Sequence, residues 1–152
     1  MKRFKPELTV AAIFGLAILA IPRAVVHDLR LMPLDSVGYK TLAIVPFALW
    51  FIVAILRRTK KPFVDFLAVG LVSGILLGLA HQLTWEASWG SNLPHLHGNL
   101  EGKLNPLLES FLLRSATFIS SVVTGLVFGA IFGVIASAAS AIRTHAVQKT
   151  TK

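Results

Sequence analysis

Four side chains able to bind a metal or move a proton fall close together in the chain, His81, Glu86, His95 and His97, and Arg114 follows them. Imidazole and carboxylate are good ligands for zinc or copper. That chemistry would form a metal site, or a metal-dependent reaction, on one face of the molecule. The spacing fixes no geometry, however. No His-Glu-x-x-His helix motif is present, and His95 and His97 alternate in a stretch broken by Pro94, Gly98 and Gly102. The absence of cysteine removes thiolate ligands, disulfides and an acylated lipoprotein cysteine. Gly-x-Ser-x-Gly is missing, and the Gly-x-x-x-Gly runs have no Gly-Lys-Ser/Thr behind them. The expectation is therefore a protein that is not an enzyme, with no catalytic residue, no cofactor and no assigned metal ligand.

The elements that must position these residues are membrane spans. The chain has 152 residues, 55% of them hydrophobic and 14% charged, with a mean hydropathy of +0.72. Soluble domains carry about a quarter charged residues. Four spans of roughly 20 residues fit, and an independent soluble domain does not. The reading is all-α, a single integral membrane four-helix bundle with spans over 8–26, 39–56, 62–83 and 114–142. Pro22 sits near the end of the first span and Pro46 predicts a bend in the second, where Tyr39 and Trp50 suit interfacial or lipid-facing positions. The segment 27–40, with Asp28, Arg30, Pro33, Asp35 and Gly38, reads as an exposed connection. The longest connection, 84–106, lies on the outer side, with Trp85 and Trp89 as an aromatic belt. The apolar stretch 107–142 would measure about 54 Å as one helix, too long for one bilayer. It is split here, with 107–113 at the interface and Glu109 outward. The first residues resemble the charged and apolar regions of a secretory signal, but Pro22 and Arg23 spoil the cleavage site and an uncleaved span is expected.

Charge sets the orientation. The formal net charge is +8. Lys2, Arg3, Lys5, Arg57, Arg58, Lys60, Lys61, Arg143, Lys149 and Lys152 lie in the tails and the second connection, against Arg23, Arg30, Lys40, Lys103 and Arg114 on the other side. Basic loops stay in the cytoplasm, so both termini are expected inside, in a cell membrane, either plasma or inner. The clusters read as topology signals and headgroup contacts rather than as a nucleic-acid surface.

The strongest pattern is a pair of glycine ladders at intervals of four: Gly70, Gly74 and Gly78 in the third span, and Ser121, Gly125, Gly129 and Gly133 in the fourth, extended by Ser137. Steps of four drift by only about 40° per turn, making a smooth stripe on which backbones come close. The ladders either zip spans three and four together within one chain or face another protomer or protein. His81 falls within the stripe of the third span, and Arg114 and Ser121 near that of the fourth. Helical rise then brings His81, Ser121, Glu86 and Arg114 toward one polar cluster at the outer end of the hairpin. Asp65, opposite the glycines, is expected to complement the start of its helix or to pair with Lys60 or Lys61.

Three functional readings follow. The first is a non-enzymatic accessory, assembly or structural component that acts by helix packing, its partners being the lipid bilayer and either another copy or another membrane protein. The second is a homo-oligomeric channel or transporter for ions or small solutes, with Pro46, His81, Asp65 and the hydroxyls of span four near the path. The third is the outer-face metal site of His81, Glu86, His95 and His97.

Overall fold

The computed structural model describes residues 6–57 and 59–150, with no side-chain description for 145–150. Lys2, Arg3, Lys5, Arg58 and Lys152, and the side chain of Lys149, used above for orientation, lie outside it. Among the described residues the fold is all-helical: α1 (Val10–Ile18), α2 (Ile21–Asp28), α3 (Val37–Leu56), α4 (Pro62–Trp89) and α5 (Pro106–Thr150), with a 3-10 turn at Gly98–Leu100. Four helical stretches are long and apolar enough to cross a membrane, α1 and α2 counting together as one over Val10–Asp28. The 28–37 and 89–106 connections lie at one end of the bundle, called here the loop end. The 56–62 connection, the start of α1 and the end of α5 lie at the other.

Local sequence sets the boundaries. Thr9 and Ser36 precede α1 and α3, and their hydroxyls accept from the amides of Ala12 and Tyr39 at 3.2 Å. Pro62 and Pro106 open α4 and α5, where a missing N–H costs nothing, and Asn105 caps the amide of Leu108 at 2.9 Å. Gly90, at φ 56°, closes α4 in a conformation side-chain-bearing residues avoid.

Several boundaries differ from the expectation. The first span is broken, because Pro22 has no N–H for the carbonyl four residues earlier and its ring crowds that turn. The carbonyls freed at the end of α1 find donors on neighbouring helices: Trp50 Nε1 donates to Leu16 at 2.9 Å and Ser73 Oγ to Ala17 at 3.2 Å. In a bilayer such groups have no water to fall back on, so the break becomes a docking point for α3 and α4. Trp50, expected toward lipid, is consequently buried, and Tyr39 is buried too, with the Arg23 guanidinium 5.4 Å from its ring centre. Helix α4 runs on to Trp89, so Trp85 and Glu86 belong to it and not to a loop. The split at residue 113 does not occur. Helix α5 is continuous from Pro106 for 45 residues, about 67 Å, and, since Gly133 meets Phe63 in the first turn of α4, it is the later part of α5 that runs past α4.

Helices α4 and α5 pack antiparallel over most of their shared length, the α4 number rising as that of α5 falls. A methyl group on Gly70 would stand 2.7 Å from the Cα of Gly129, one on Gly74 2.7 Å from the Ser121 carbonyl oxygen, and one on Gly78 2.7 Å from the Phe118 ring. From the other side, a methyl on Gly125 would stand 2.7 Å from the Gly74 Cα, and one on Gly129 2.6 Å from the Phe66 carbonyl oxygen. These backbones touch. Helix α3 closes the half of the bundle nearer the 56–62 connection through an aromatic cluster, in which Phe47 lies 4.5 Å from Phe128 and Trp50 meets Phe132 edge-on at 5.5 Å, centre to centre, and α1 adds Ile13 and Leu16 to the same core.

Two polar clamps hold the end with the 56–62 connection. Asp65, in the first turn of α4 and 1% exposed, accepts through Oδ1 from the amides of Glu7 at 2.5 Å and Leu8 at 3.0 Å. Its other oxygen has no hydrogen-bond partner among the described residues. The Glu7 carboxylate accepts in turn from the Lys60 amide at 2.8 Å. On the opposite side Arg143 of α5 donates to the carbonyls of Ile55 and, at 3.1 Å, Arg57, satisfying the exposed C-terminal end of α3.

Candidate functional site

The chemistry-bearing residues gather at the loop end, around a residue that sequence reasoning had left in an exposed connection. Asp28 closes α2 and is buried. Its Oδ2 accepts from His81 Nδ1 at 2.6 Å and from the Thr84 hydroxyl at 2.5 Å, and its Oδ1 from His27 Nδ1 at 3.2 Å. Three donors thus surround one carboxylate. Each element supplies its part for a local reason: α2 ends at Asp28, and the three-residue spacing of His81 and Thr84 puts both on one face of α4. The carboxylate in return holds α2 against α4. With Nδ1 committed to Asp28, the Nε2 of His81 is the ring nitrogen left for other contacts.

The expected cluster of His81, Glu86, Arg114 and Ser121 is divided. His81 turns to Asp28. Arg114 keeps its expected neighbour, with Nη2 3.5 Å from Glu86 Oε1, and its guanidinium lies 5.1 Å from the centre of the Trp85 ring. Glu86 is 88% exposed, so that ion pair adds little. The Ser121 hydroxyl donates to the Thr117 carbonyl one turn back, as Ser and Thr do when no partner is offered across the interface. Gln82, which no sequence signal marked, donates to the Arg114 carbonyl at 3.1 Å and ties α4 to α5.

The four proposed metal ligands do not converge. Among the described residues no three His, Asp or Glu side chains are placed to hold a metal ion. His95 lies 3.6 Å from Glu109, whose carboxylate accepts from the Leu96 amide at 2.6 Å. Glu109 therefore faces the connection it braces instead of pointing outward. Trp85, expected in an interfacial belt, is buried, and Trp89 beside it is partly exposed, the two ring centres 6.1 Å apart.

Over this carboxylate lies a cavity of about 730 Å³, open to the surface, bounded by His27, Asp28, the 30–34 segment, His81, Trp85, Ser88, Trp89 and Thr117. Arg30 has a φ of 53°, uncommon for a side-chain-bearing residue, and its guanidinium donates to the Ser88 carbonyl at 3.2 Å, pinning the segment across the end of α4. A groove of about 440 Å³ shares His81 and Thr117 with the cavity and continues along Ser120, Ser121 and Thr124. It shares Leu77 and Thr124 with a small internal space of about 100 Å³ reaching Pro46, Phe47, Ser73 and Phe128. Below that stands the aromatic cluster. The signal that could have revealed this site was the pair of histidines at 27 and 81, each beside a span end, with an acid next to the first.

No protein-family model, no curated protein and no solved structure matches the chain.

Proposed function

We propose that this chain is a non-enzymatic, multi-pass component of a plasma or inner membrane, both termini cytoplasmic, that acts by helix packing as an accessory, assembly or structural subunit. Its spans three and four are packed through glycine ladders, and the α2–α3 and α4–α5 connections face outward. The excess of Lys and Arg in the tails and the 57–61 connection supports that orientation. The observation that carries the reading is the close approach of Gly70 and Gly74 to Gly125 and Gly129. Close backbone contact gains dispersion where apolar burial gives no drive between helices, and the result is a stiff hairpin whose remaining face is free. That face presents Val123, Val127, Ile131 and Val134, between 48% and 59% exposed, and beside them Ala116, Ser120 and Thr124, small or hydroxylated residues at steps of four. The test is the mass of the full chain purified in nanodiscs, with identification of whatever accompanies it. A particle larger than 16.5 kDa of protein with a constant companion, lost on Gly129→Ile, is expected. A lone monomer overturns the reading.

A second reading, a homo-oligomeric channel or transporter subunit, is favoured by the adjoining cavity, groove and internal space, which share lining residues and include His81, Thr117, Ser120, Thr124 and Ser73. Proteoliposome flux of ions or small solutes above that of empty vesicles supports it, and flux equal to theirs removes it.

A further inference from the structure

The cavity at the loop end has a definite chemical character that helix packing does not use. Its one carboxylate is spent, since both oxygens of Asp28 already accept hydrogen bonds from His27, His81 and Thr84, and the residue is 5% exposed. A cation would find that carboxylate buried and already holding three hydrogen bonds. It would also meet Arg30, and beyond Trp85 the guanidinium of Arg114. The uncommitted donors are the remaining N–H groups of Arg30, whose guanidinium spends one bond on the Ser88 carbonyl. Around this polar end stand Leu31, Met32, Leu34 and Trp89, large apolar side chains between 41% and 62% exposed. They sit at the end of the bundle where a bilayer changes from hydrocarbon to headgroup. A guanidinium with donors to spare, beside a carboxylate that is already satisfied and with grease at the rim, describes an amphiphile with an anionic head.

We infer that this cavity holds the headgroup phosphate of an anionic phospholipid from the adjoining leaflet. The phosphate lies against the Arg30 guanidinium, and the glycerol and first acyl carbons lie along Leu31, Met32, Leu34 and Trp89. Arg30 is the recognising residue, because a planar guanidinium donates to a phosphate through two parallel bonds. Its left-handed backbone has a use in this light: the surroundings hold it in a conformation of higher energy that sets the side chain over the cavity. The Asp28 carboxylate holds both imidazoles and does not touch the lipid. The volume of about 730 Å³ lies within the range of small-molecule sites and admits a headgroup with part of its glycerol.

The full chain, released into mixed micelles with equimolar phosphatidylglycerol and phosphatidylcholine, is examined by native mass spectrometry. One phosphatidylglycerol retained about tenfold over phosphatidylcholine is expected, and Arg30→Gln is expected to lose at least fivefold of that preference while its helical content is retained. Equal retention of the two lipids by the unaltered chain overturns the proposal, as does full preference in Arg30→Gln. Inorganic phosphate in millimolar excess is expected to leave the bound lipid in place, whereas displacement would make this a site for free phosphate and sink the lipid. Should Arg30→Gln fold poorly, the part of the tryptophan quenching by brominated lipids that the unaltered protein shows and Trp89→Phe lacks decides: stronger quenching by phosphatidylglycerol than by phosphatidylcholine supports the site, and equal quenching overturns it. Neither outcome bears on whether a protein companion co-purifies, so the packing reading stands or falls separately.

Discussion

His81 Nδ1 lies 2.6 Å from Asp28 Oδ2, joining the end of the first span to the third across 53 residues of sequence. Thr84 donates to the same oxygen, so α2 is anchored to α4 through one carboxylate. Hydrogen bonds to a charged group contribute about 1.5–3 kcal/mol each, against roughly 1 for neutral pairs. Asp28→Asn keeps the volume and loses the charge. It is expected to lower stability by about 2–3 kcal/mol, read as a lower thermal midpoint in detergent, with faster amide exchange over 21–36 than over 106–140. Uniform exchange would contradict the anchoring role.

Two glycine substitutions should behave oppositely. Nothing lies within 4 Å of a methyl group added at Gly15, whereas at Gly70 it would strike the α5 backbone. Gly15→Ala is expected to leave stability unchanged or raise it by up to about 1 kcal/mol through helix propensity. Gly70→Ala must push two backbones apart and is expected to cost about 1–3 kcal/mol. Unfolding midpoints of the two variants side by side check the contrast.

Asp65 is the tie between the start of the chain and α4. Asp65→Ala strands the amides of Glu7 and Leu8, and an unsatisfied buried donor costs about 1–3 kcal/mol. The expected result is rapid exchange of those two amides, with earlier proteolytic cutting ahead of α1 and little change in α5. Protection of both amides in the variant would show that another group holds them.

The broken first span makes a prediction about carbonyls. Trp50→Phe preserves most of the aromatic packing and removes only the donor to Leu16. The expected cost is about 1–2 kcal/mol, larger than that of Trp89→Phe, since Trp89 is partly exposed and its indole makes no comparable bond among the described residues. Equal effects would mean that the Leu16 carbonyl has found another partner.

The sequence alone determined the elements. Composition and run length specify four apolar helical stretches because a helix is the backbone's answer to a solvent without hydrogen bonds, and the capping residues Thr9, Ser36, Pro62 and Gly90 mark boundaries through contacts within a few positions. The spacing of Gly70, Gly74 and Gly78 singled out a narrow face of α4, because helical period is local. The pairing of Arg114 with Glu86 was legible for the same reason, following from rise and register once α4 and α5 lie side by side. Only the tertiary structure decided what faces what. Asp28 looked like part of an exposed loop, since a charged residue beside Arg30 and Pro33 carries no local sign of burial. Its place follows from the break at Pro22 and from His81 and Thr84 more than fifty residues away. Trp50 and Tyr39 looked lipid-facing because an aromatic residue is at home in either setting, until the carbonyl freed in α1 gave the Trp50 indole a partner. The four metal-ligand types stood near one another in the chain and separated in the fold, because the orientation of a side chain on a helix is fixed by its neighbours in space.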